Sequence, residues 1–190
     1  MKTKNCRYPL FLTIGLIMVT LWSAHSLQAA TKIKVSGLMP PFGDVGPIFQ
    51  ISPDGRYAVY LADQDTDGVL ELYSVLLGGG SPVRLNPPLP FGRNVTSFRI
   101  SPDSSRVVYL TDQQTDNVIE LYSVPLGGPA AAGIKLNGAL VAGGNVGIFQ
   151  ISPDSSRVVY RADQDTDEVF ELYMTSTNYL LHLPLILRQG

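Results

Sequence analysis

The sequence predicts an all-β protein made of repeated, four-stranded antiparallel blades of the β-propeller type, with material for about three blades. A ten-residue block beginning Ile-Ser-Pro-Asp recurs at residues 51–60, 100–109 and 151–160, so that successive copies start 49 and 51 residues apart. Short apolar runs separated by turn residues fill each copy, and the chain of 190 residues holds 18 Gly and 14 Pro. A period of this length with strand and turn signals is typical of propeller blades.

Each copy contains four short runs that suit the strands of one blade. The first run, such as residues 146–151, ends at Ser-Pro-Asp, where Pro at the second position favours a type I turn. The second, such as residues 106–110, is apolar after its Arg and suits a strand buried on both faces. An Asp-rich turn leads to the third run, residues 120–124, and a Gly-Gly turn leads to the fourth, residues 134–136.

The repeat region starts and stops inside a repeat. Residues 33–45 align without gaps to residues 134–146, which hold a fourth strand and the connection to the next copy, whereas the repeat pattern of the third copy stops after its third run. Residues 31–44 are therefore predicted to supply a closing strand that hides the edge of the last blade. The assigned segments are a leader at 1–30, a repeat domain at 31–177 with units near 45–93, 94–144 and 145–177, and a tail at 178–190.

The leader has the three parts of a secretory signal peptide. Three basic residues precede an apolar run at residues 10–22, and small residues follow up to Ala30. The apolar run is shorter than the roughly 20 residues that cross a bilayer, so we expect an exported protein, secreted or periplasmic, with no membrane span after signal removal. Cys6 is the only cysteine and lies in the leader, so the mature chain is expected to hold no disulfide.

The units resemble the WD-repeat-like β-propeller repeats of the TolB type, whose core is an apolar residue, Ser-Pro-Asp-Gly, a basic residue and a β-rich run ending in an aromatic residue. Residues 51–60 match this core, and the Glu-Leu-Tyr and Gly-Gly elements that follow it match at residues 71–73 and 78–79. The resemblance covers residues 33–173. It implies an exported bacterial propeller that binds proteins or accompanies a catalytic domain, and it brings no catalytic residue with it.

The number of repeats leaves two alternatives for the architecture. Propellers have four to eight blades, and this chain supplies three. Either the chain is a truncated remnant of a longer array, or two chains exchange terminal strands in a homodimer with six blades, the number that the resemblance suggests.

Composition and motifs argue against nucleic-acid binding and against catalysis. A net charge of −2 lacks the basic excess that a phosphate backbone requires. His182 is the only histidine outside the leader, and the chain has no nucleophile elbow, zinc-binding pair or phosphate-binding glycine loop. The many carboxylates occupy equivalent places in the repeats, whereas a catalytic pair needs two unequal environments. We therefore expect no enzyme and no nucleic-acid partner.

The Asp-rich turns are candidate calcium sites. Carboxylates alternate through residues 63–67 as in an EF-hand loop, but position 12 is Ser74 and the flanking runs are β-type. We favour the alternative that these residues supply a hairpin connection. If calcium binds, its ligands are Asp63, Asp65, Asp67, Asp163, Asp165 and Asp167. The glutamates that begin each third run are equally expected to form ion pairs with the arginines of their own units. These pairs are Glu71 with Arg56, Glu120 with Arg106, and Glu171 with Arg157.

The function that these observations favour is binding. We expect an exported, non-enzymatic repeat protein that presents loops and a ring face to a protein or a cell-surface glycan. Two alternatives remain: the accessory propeller of an exported peptidase or hydrolase system, and a calcium-binding structural repeat protein.

Overall fold

The computed structural model of the protein describes residues 31–177. The predicted signal peptide at residues 1–30, with Cys6, and the tail at residues 178–190, with His182, lie outside the described residues. None of the described residues belongs to a helix that is long and apolar enough to span a bilayer.

The described chain forms three antiparallel sheets, which confirms the predicted all-β, blade-like architecture. Strands follow the chain order within each sheet, and one short 3-10 turn (Ala130–Ala132) precedes the last strand of the second sheet. Sheets 1 and 2 have four strands each, whereas sheet 3 has three. Sheet 1 contains β1 (Val45–Ile51), β2 (Tyr57–Ala62), β3 (Glu71–Leu76) and β4 (Val83–Arg84); sheet 2 contains β5 (Val95–Ile100), β6 (Arg106–Thr111), β7 (Glu120–Pro125) and β8 (Ile134–Lys135); sheet 3 contains β9 (Val146–Ile151), β10 (Arg157–Ala162) and β11 (Glu171–Ser176).

The strand register repeats from sheet to sheet, as the sequence period requires. The second and third strands of every sheet place two tyrosines opposite each other, with ring centroids 5.4–5.7 Å apart in stacked geometry. Such directly opposed aromatic pairs stabilise antiparallel sheets. The three pairs are Tyr60–Tyr73, Tyr109–Tyr122 and Tyr160–Tyr173.

The hydrophobic core lies between the sheets rather than within them. One cluster joins sheet 1 to sheet 2, with Leu72 and Phe98 among its members, and a second joins sheet 2 to sheet 3 through Leu121, Phe149 and Val158. Each sheet is therefore held by its neighbour, as expected for repeats that cannot bury an apolar face alone.

The second strands show how burial depends on the following blade. The central strands β2 and β6 are buried on both faces, as predicted, with Val108 fully buried. Strand β10 has nearly the same sequence as β6, but its residues alternate between buried and exposed, and Val159 is exposed. The difference arises because no described sheet covers the outer face of sheet 3.

The Ser-Pro-Asp turns close the hairpins between first and second strands. In the first copy, Ser52 Oγ donates a hydrogen bond to Asp54 Oδ1 at 2.5 Å and accepts one from the Tyr57 N–H at 2.9 Å. The matching Ser152 hydroxyl lowers the pKa of Asp154 to about 2, so this turn carboxylate is charged at neutral pH. The residue after the Asp has a positive φ in every copy, which Gly55 adopts without strain.

In the later copies a serine occupies this left-handed position and links neighbouring sheets. Ser104 has a φ of 59°, and its Oγ accepts a hydrogen bond from the Asp54 N–H at 3.0 Å. Ser155 makes the same contact to the Asp103 N–H at 2.9 Å. These bonds between repeats offset the cost of the positive φ.

The segment at residues 34–44 forms no strand, so its predicted closing role stays a prediction. It packs across the outer face of sheet 1, where Met39 contacts the cluster around Tyr60 and Tyr73. Its hydrogen bonds repeat those of the connection between sheets 2 and 3. The matching pairs are Gly37 N–H to Gln64 Oε1 (3.3 Å) with Gly138 N–H to Gln164 Oε1 (3.0 Å), and Asp44 N–H to Asp63 Oδ1 (2.5 Å) with Asn145 N–H to Asp163 Oδ1 (2.6 Å).

Candidate functional site

The first strands of the three sheets lie side by side and form an open face. Strands β1, β5 and β9 line a shallow groove of about 320 Å³, and an adjoining groove of about 370 Å³ continues around β9 onto the outer face of sheet 3. Both grooves include Arg99 and Ile148. We call the surface formed by Ile48, Gln50, Ser97, Arg99, Ile148 and Gln150 the inner-strand face.

The inner-strand face combines apolar, amide and cationic groups. Ile148 is 65% exposed, and Gln50 Oε1 accepts a long hydrogen bond of 3.4 Å from the Ile100 N–H. Within residues 31–177 the Arg99 guanidinium has no ion pair or hydrogen bond. A guanidinium with free donors beside apolar and amide groups can bind a carboxylate in a bidentate manner, while the isoleucines bury apolar parts of the same ligand.

None of these residues was identified from the sequence. The repeats did carry a signal, because the position of Arg99 holds Gln50 and Gln150 in the other copies. The first strand of the second copy differs from that of the third at Thr96, Ser97 and Arg99, and of these only Arg99 adds a charge.

The first aspartate of each Asp-rich turn has a structural role. Asp63 is buried and accepts hydrogen bonds from the Asp44 N–H at 2.5 Å and the Gly68 N–H at 3.1 Å. Burial raises the pKa of Asp63, but the hydrogen bonds from these N–H groups together lower it by more. The pKa of Asp63 therefore lies below its ordinary value. The matching contact from the Asn145 N–H is the main cause of the lowered pKa of Asp163. Each charged aspartate therefore ties its turn to the connection that precedes the sheet.

The remaining aspartates of the turns do not converge with the first. Asp65 Oδ2 forms an ion pair with Arg84 at 2.6 Å, and Asp67 is exposed. No group of three or more His, Cys, Asp or Glu side chains among residues 31–177 is arranged to hold a metal ion. The hairpin interpretation accounts for these contacts, and calcium binding stays a prediction for Asp63, Asp65, Asp67, Asp163, Asp165 and Asp167.

We expect Asp63→Ala to lower the free energy of unfolding by about 2 kcal/mol, because two backbone N–H groups lose a charged acceptor. Thermal unfolding in millimolar calcium and in chelator should show the same loss in both conditions. The exposed Asp67→Ala is the control and should change stability little. A calcium-dependent rise in melting temperature that Asp63→Ala with Asp65→Ala diminishes would contradict the hairpin interpretation and support a calcium site.

The expected pairing of Glu71, Glu120 and Glu171 with Arg56, Arg106 and Arg157 is wrong: Glu71 and Glu120 pair with the fourth strand of their sheets, and Glu171 has no ion pair among residues 31–177. Glu71 Oε2 lies 3.4 Å from Arg84 Nη1, and Glu120 Oε1 contacts Lys135 Nζ. The register explains this result, because β4 lies directly beside β3 and places Arg84 opposite Tyr73. Arg106 instead donates from Nε to Ser123 Oγ at 2.6 Å.

The similarity of this chain to known proteins is found among solved structures. No protein-family model and no curated protein matches it. Among solved structures, it is similar to an oligogalacturonate lyase determined in complex with manganese (14% identity, TM-score 0.49), covering 78% of this chain and 38% of the lyase. It is also similar to TolB from Acinetobacter baumannii (14% identity, TM-score 0.48), covering 69% of this chain and 30% of TolB.

A TolB-like protein from Agrobacterium tumefaciens is a third similar structure, with 16% identity and a TM-score of 0.47 over 66% of this chain and 43% of that protein. The chain thus spans less than half the length of each of these proteins. TolB proteins, to whose repeats the sequence has a resemblance, are among the structures to which its fold is similar.

Proposed function

We propose that the protein is an exported, non-enzymatic binding module that holds a protein or a surface glycan against its inner-strand face. The observation that carries this proposal is Arg99, a cation without a partner among the described residues, placed in an open groove beside exposed isoleucine and two glutamines. This combination suits a ligand that presents carboxylates on a partly apolar backbone.

The non-enzymatic part of the proposal has separate support. Residues 31–177 contain no histidine and no cysteine, so the repeat domain offers neither an imidazole base nor a thiol nucleophile. Its most buried carboxylates are engaged in structural hydrogen bonds, as with Asp63 and Glu71. The signal-like leader supports export to the periplasm or the cell exterior.

We expect Arg99→Gln to weaken binding of acidic polymers at least tenfold, because the variant replaces the only charged side chain of the inner-strand face with the amide found in the other copies. Calorimetry or surface plasmon resonance with poly-glutamate, polygalacturonate and neutral dextran at physiological salt measures the effect. The wild-type chain should bind at least one acidic polymer and not dextran.

The matched control is Arg56→Gln, which removes the same charge from an exposed turn. Binding that Arg56→Gln weakens as much as Arg99→Gln would indicate attraction by net charge alone and would contradict a site on the inner-strand face. Absence of binding to both acidic polymers would also contradict this proposal.

A further inference from the structure

The outer face of sheet 3 is largely apolar and is exposed among residues 31–177, although Arg161, stacked on the Phe170 ring at 3.7 Å, stands where sheet 2 has the buried Leu110. Leu172 is 76% exposed and Met174 is 62% exposed, whereas Leu121, at the position of Leu172 in sheet 2, is completely buried against sheet 3. The equivalent surface is therefore covered between sheets 1 and 2 and between sheets 2 and 3, whereas on sheet 3 it is uncovered among the described residues and has Arg161 in place of a leucine.

The outer face of sheet 1 is the complementary half of such an interface. It already has the connecting segment, residues 34–44, in place with the hydrogen bonds that the connection before sheet 3 makes. No sheet precedes this segment among the described residues, whereas the equivalent connections follow sheets 1 and 2. Among residues 31–177, sheet 3 has no fourth strand of the kind that such a segment normally contains.

The hydrogen-bonding groups at the two open faces are those that join neighbouring sheets elsewhere in the chain. Where sheets meet, the residue before the first strand accepts a hydrogen bond from the preceding sheet, and the next residue donates one back. Ile119 N–H donates to Asn145 Oδ1 at 2.8 Å, and Val146 N–H donates to Ile119 O at 2.9 Å. Leu70 makes the same two bonds with Asn94 and Val95, each 2.8 Å long. The equivalent groups at the open faces are Phe170 on sheet 3 and Asp44 with Val45 before sheet 1.

Charges at the open faces are complementary as well. In the complete sheets, a basic residue of the fourth strand pairs with the buried glutamate that begins the third strand, as Arg84 does with Glu71 and Lys135 with Glu120. Lys34 occupies the position of Lys135 in the N-terminal segment, and Glu171 occupies the position of Glu120 in sheet 3. Both Lys34 and Glu171 are exposed in the single chain.

We propose that a second copy of this chain covers these faces, so that sheet 3 of each copy packs against sheet 1 of the other and Lys34 reaches Glu171 across both contacts. Two copies of three blades make six, which lies in the range of four to eight blades in which propellers close, whereas three copies would exceed it. The two contacts are identical and are related by a two-fold axis that coincides with the central axis of the ring.

The second copy also completes the binding surface. A six-bladed ring surrounds its central channel with the inner-strand faces of both chains and brings two Arg99 side chains to it. The dimer rests on the interfaces between sheets and does not depend on the binding function. The dimer is tested by the mass of the protein in solution, and the binding function is tested by its affinity for acidic polymers. The failure of one proposal is therefore distinguishable from the failure of the other.

Light scattering behind size exclusion on the full chain tests the proposal. The wild-type chain should have twice the mass of one chain. Lys34→Glu and Glu171→Lys each place like charges at both contacts and should each raise the dissociation constant at least about a hundredfold. A mixture of the two variants has opposite charges at both contacts and should recover the dimer. Lys32→Glu, a change of the same charge two residues away, should leave the dimer intact.

A gain of affinity tests the register of the contact. In the chain, Ser104 and Ser155 bond to the N–H of the aspartate in the preceding repeat, whereas Gly55 has no side chain to offer Asp154 of the other copy. A Cβ at Gly55 has nothing within 4 Å, and its φ of 72° is close to the 59° of Ser104. Gly55→Ser should therefore lower the dissociation constant several-fold.

Four results would overturn the proposal. A wild-type chain that stays a monomer at about 100 µM removes it, since a ring with two such contacts should be stable there. A dimer that neither charge variant weakens, or variants that do not recover a dimer when mixed, would place the contact elsewhere. An unchanged affinity in Gly55→Ser would contradict the proposed register. Circular dichroism of both charge variants should match the wild type, because both residues are exposed in the single chain.

Discussion

Replacing Phe98 by alanine is expected to lower the free energy of unfolding by about 3–5 kcal/mol, because this ring fills the space between sheets 1 and 2. Phe98 is 3% exposed and packs in the cluster that contains Leu72 and Val107. Its loss creates a cavity in a layer held by two separate sheets, neither of which has another way to cover its apolar face. Urea unfolding followed by circular dichroism measures the change.

Phe49 supplies the matched control for this substitution, because it holds the same repeat position in sheet 1. It is 68% exposed, since no sheet precedes sheet 1 in the described chain. Phe49→Ala should cost less than about 1 kcal/mol when both variants carry Lys34→Glu and light scattering shows a single chain. Equal losses at Phe49 and Phe98 would mean that Phe49 is buried in the single chain, which would contradict the open face of sheet 1.

The fold was predictable because the repeat period itself describes it. The recurrence of Ile51, Ile100 and Ile151 marked the same strand end three times, and every strand of the sheets lies in a run that the period had marked. Sequence reasoning did less well where the answer depended on neighbours in space. The glutamate partners were expected among the arginines near the start of each second strand, whereas the lateral order of β3 and β4 decides them.

The candidate site was harder to predict because repeats emphasise what their copies share. Shared aspartates in the turns drew attention to calcium, yet Asp63 and Asp163 accept hydrogen bonds from backbone N–H groups of the connecting segments and of their own turns. Arg99 differs from its counterparts and was passed over for that reason. A single sequence with three copies shows which positions differ, but only the structure shows that this one lies on an open groove.

Replacing Glu120 by alanine is expected to lower the free energy of unfolding by about 3 kcal/mol, although the residue is charged. The Glu120 carboxylate is 5% exposed, accepts a hydrogen bond from the Tyr122 hydroxyl at 2.8 Å and pairs with Lys135. Burial and this carboxylate raise the pKa of Tyr122, so its hydroxyl stays a donor throughout the accessible pH range. Alanine leaves that hydroxyl without its carboxylate acceptor, whereas the Lys135 ammonium keeps its hydrogen bond to Gln114 Oε1 at 3.2 Å. This remaining bond and the partial exposure of Lys135 limit the loss.

The contribution of the Glu120 carboxylate to stability comes from its buried surroundings. Glu171 tests this explanation, because it is the equivalent residue in an exposed position. Glu171 is followed by the same Leu-Tyr pair and accepts the same bond from a tyrosine hydroxyl, Tyr173, at 2.9 Å. It is exposed, however, because sheet 3 has no fourth strand among residues 31–177. In a single chain carrying Lys34→Glu, Glu171→Ala should change the free energy of unfolding by no more than about 0.5 kcal/mol. Urea unfolding of both variants gives the comparison. A loss at Glu171 equal to that at Glu120 would show that a fourth strand covers sheet 3 within one chain, which would contradict both the open edge and the need for a second copy to close it.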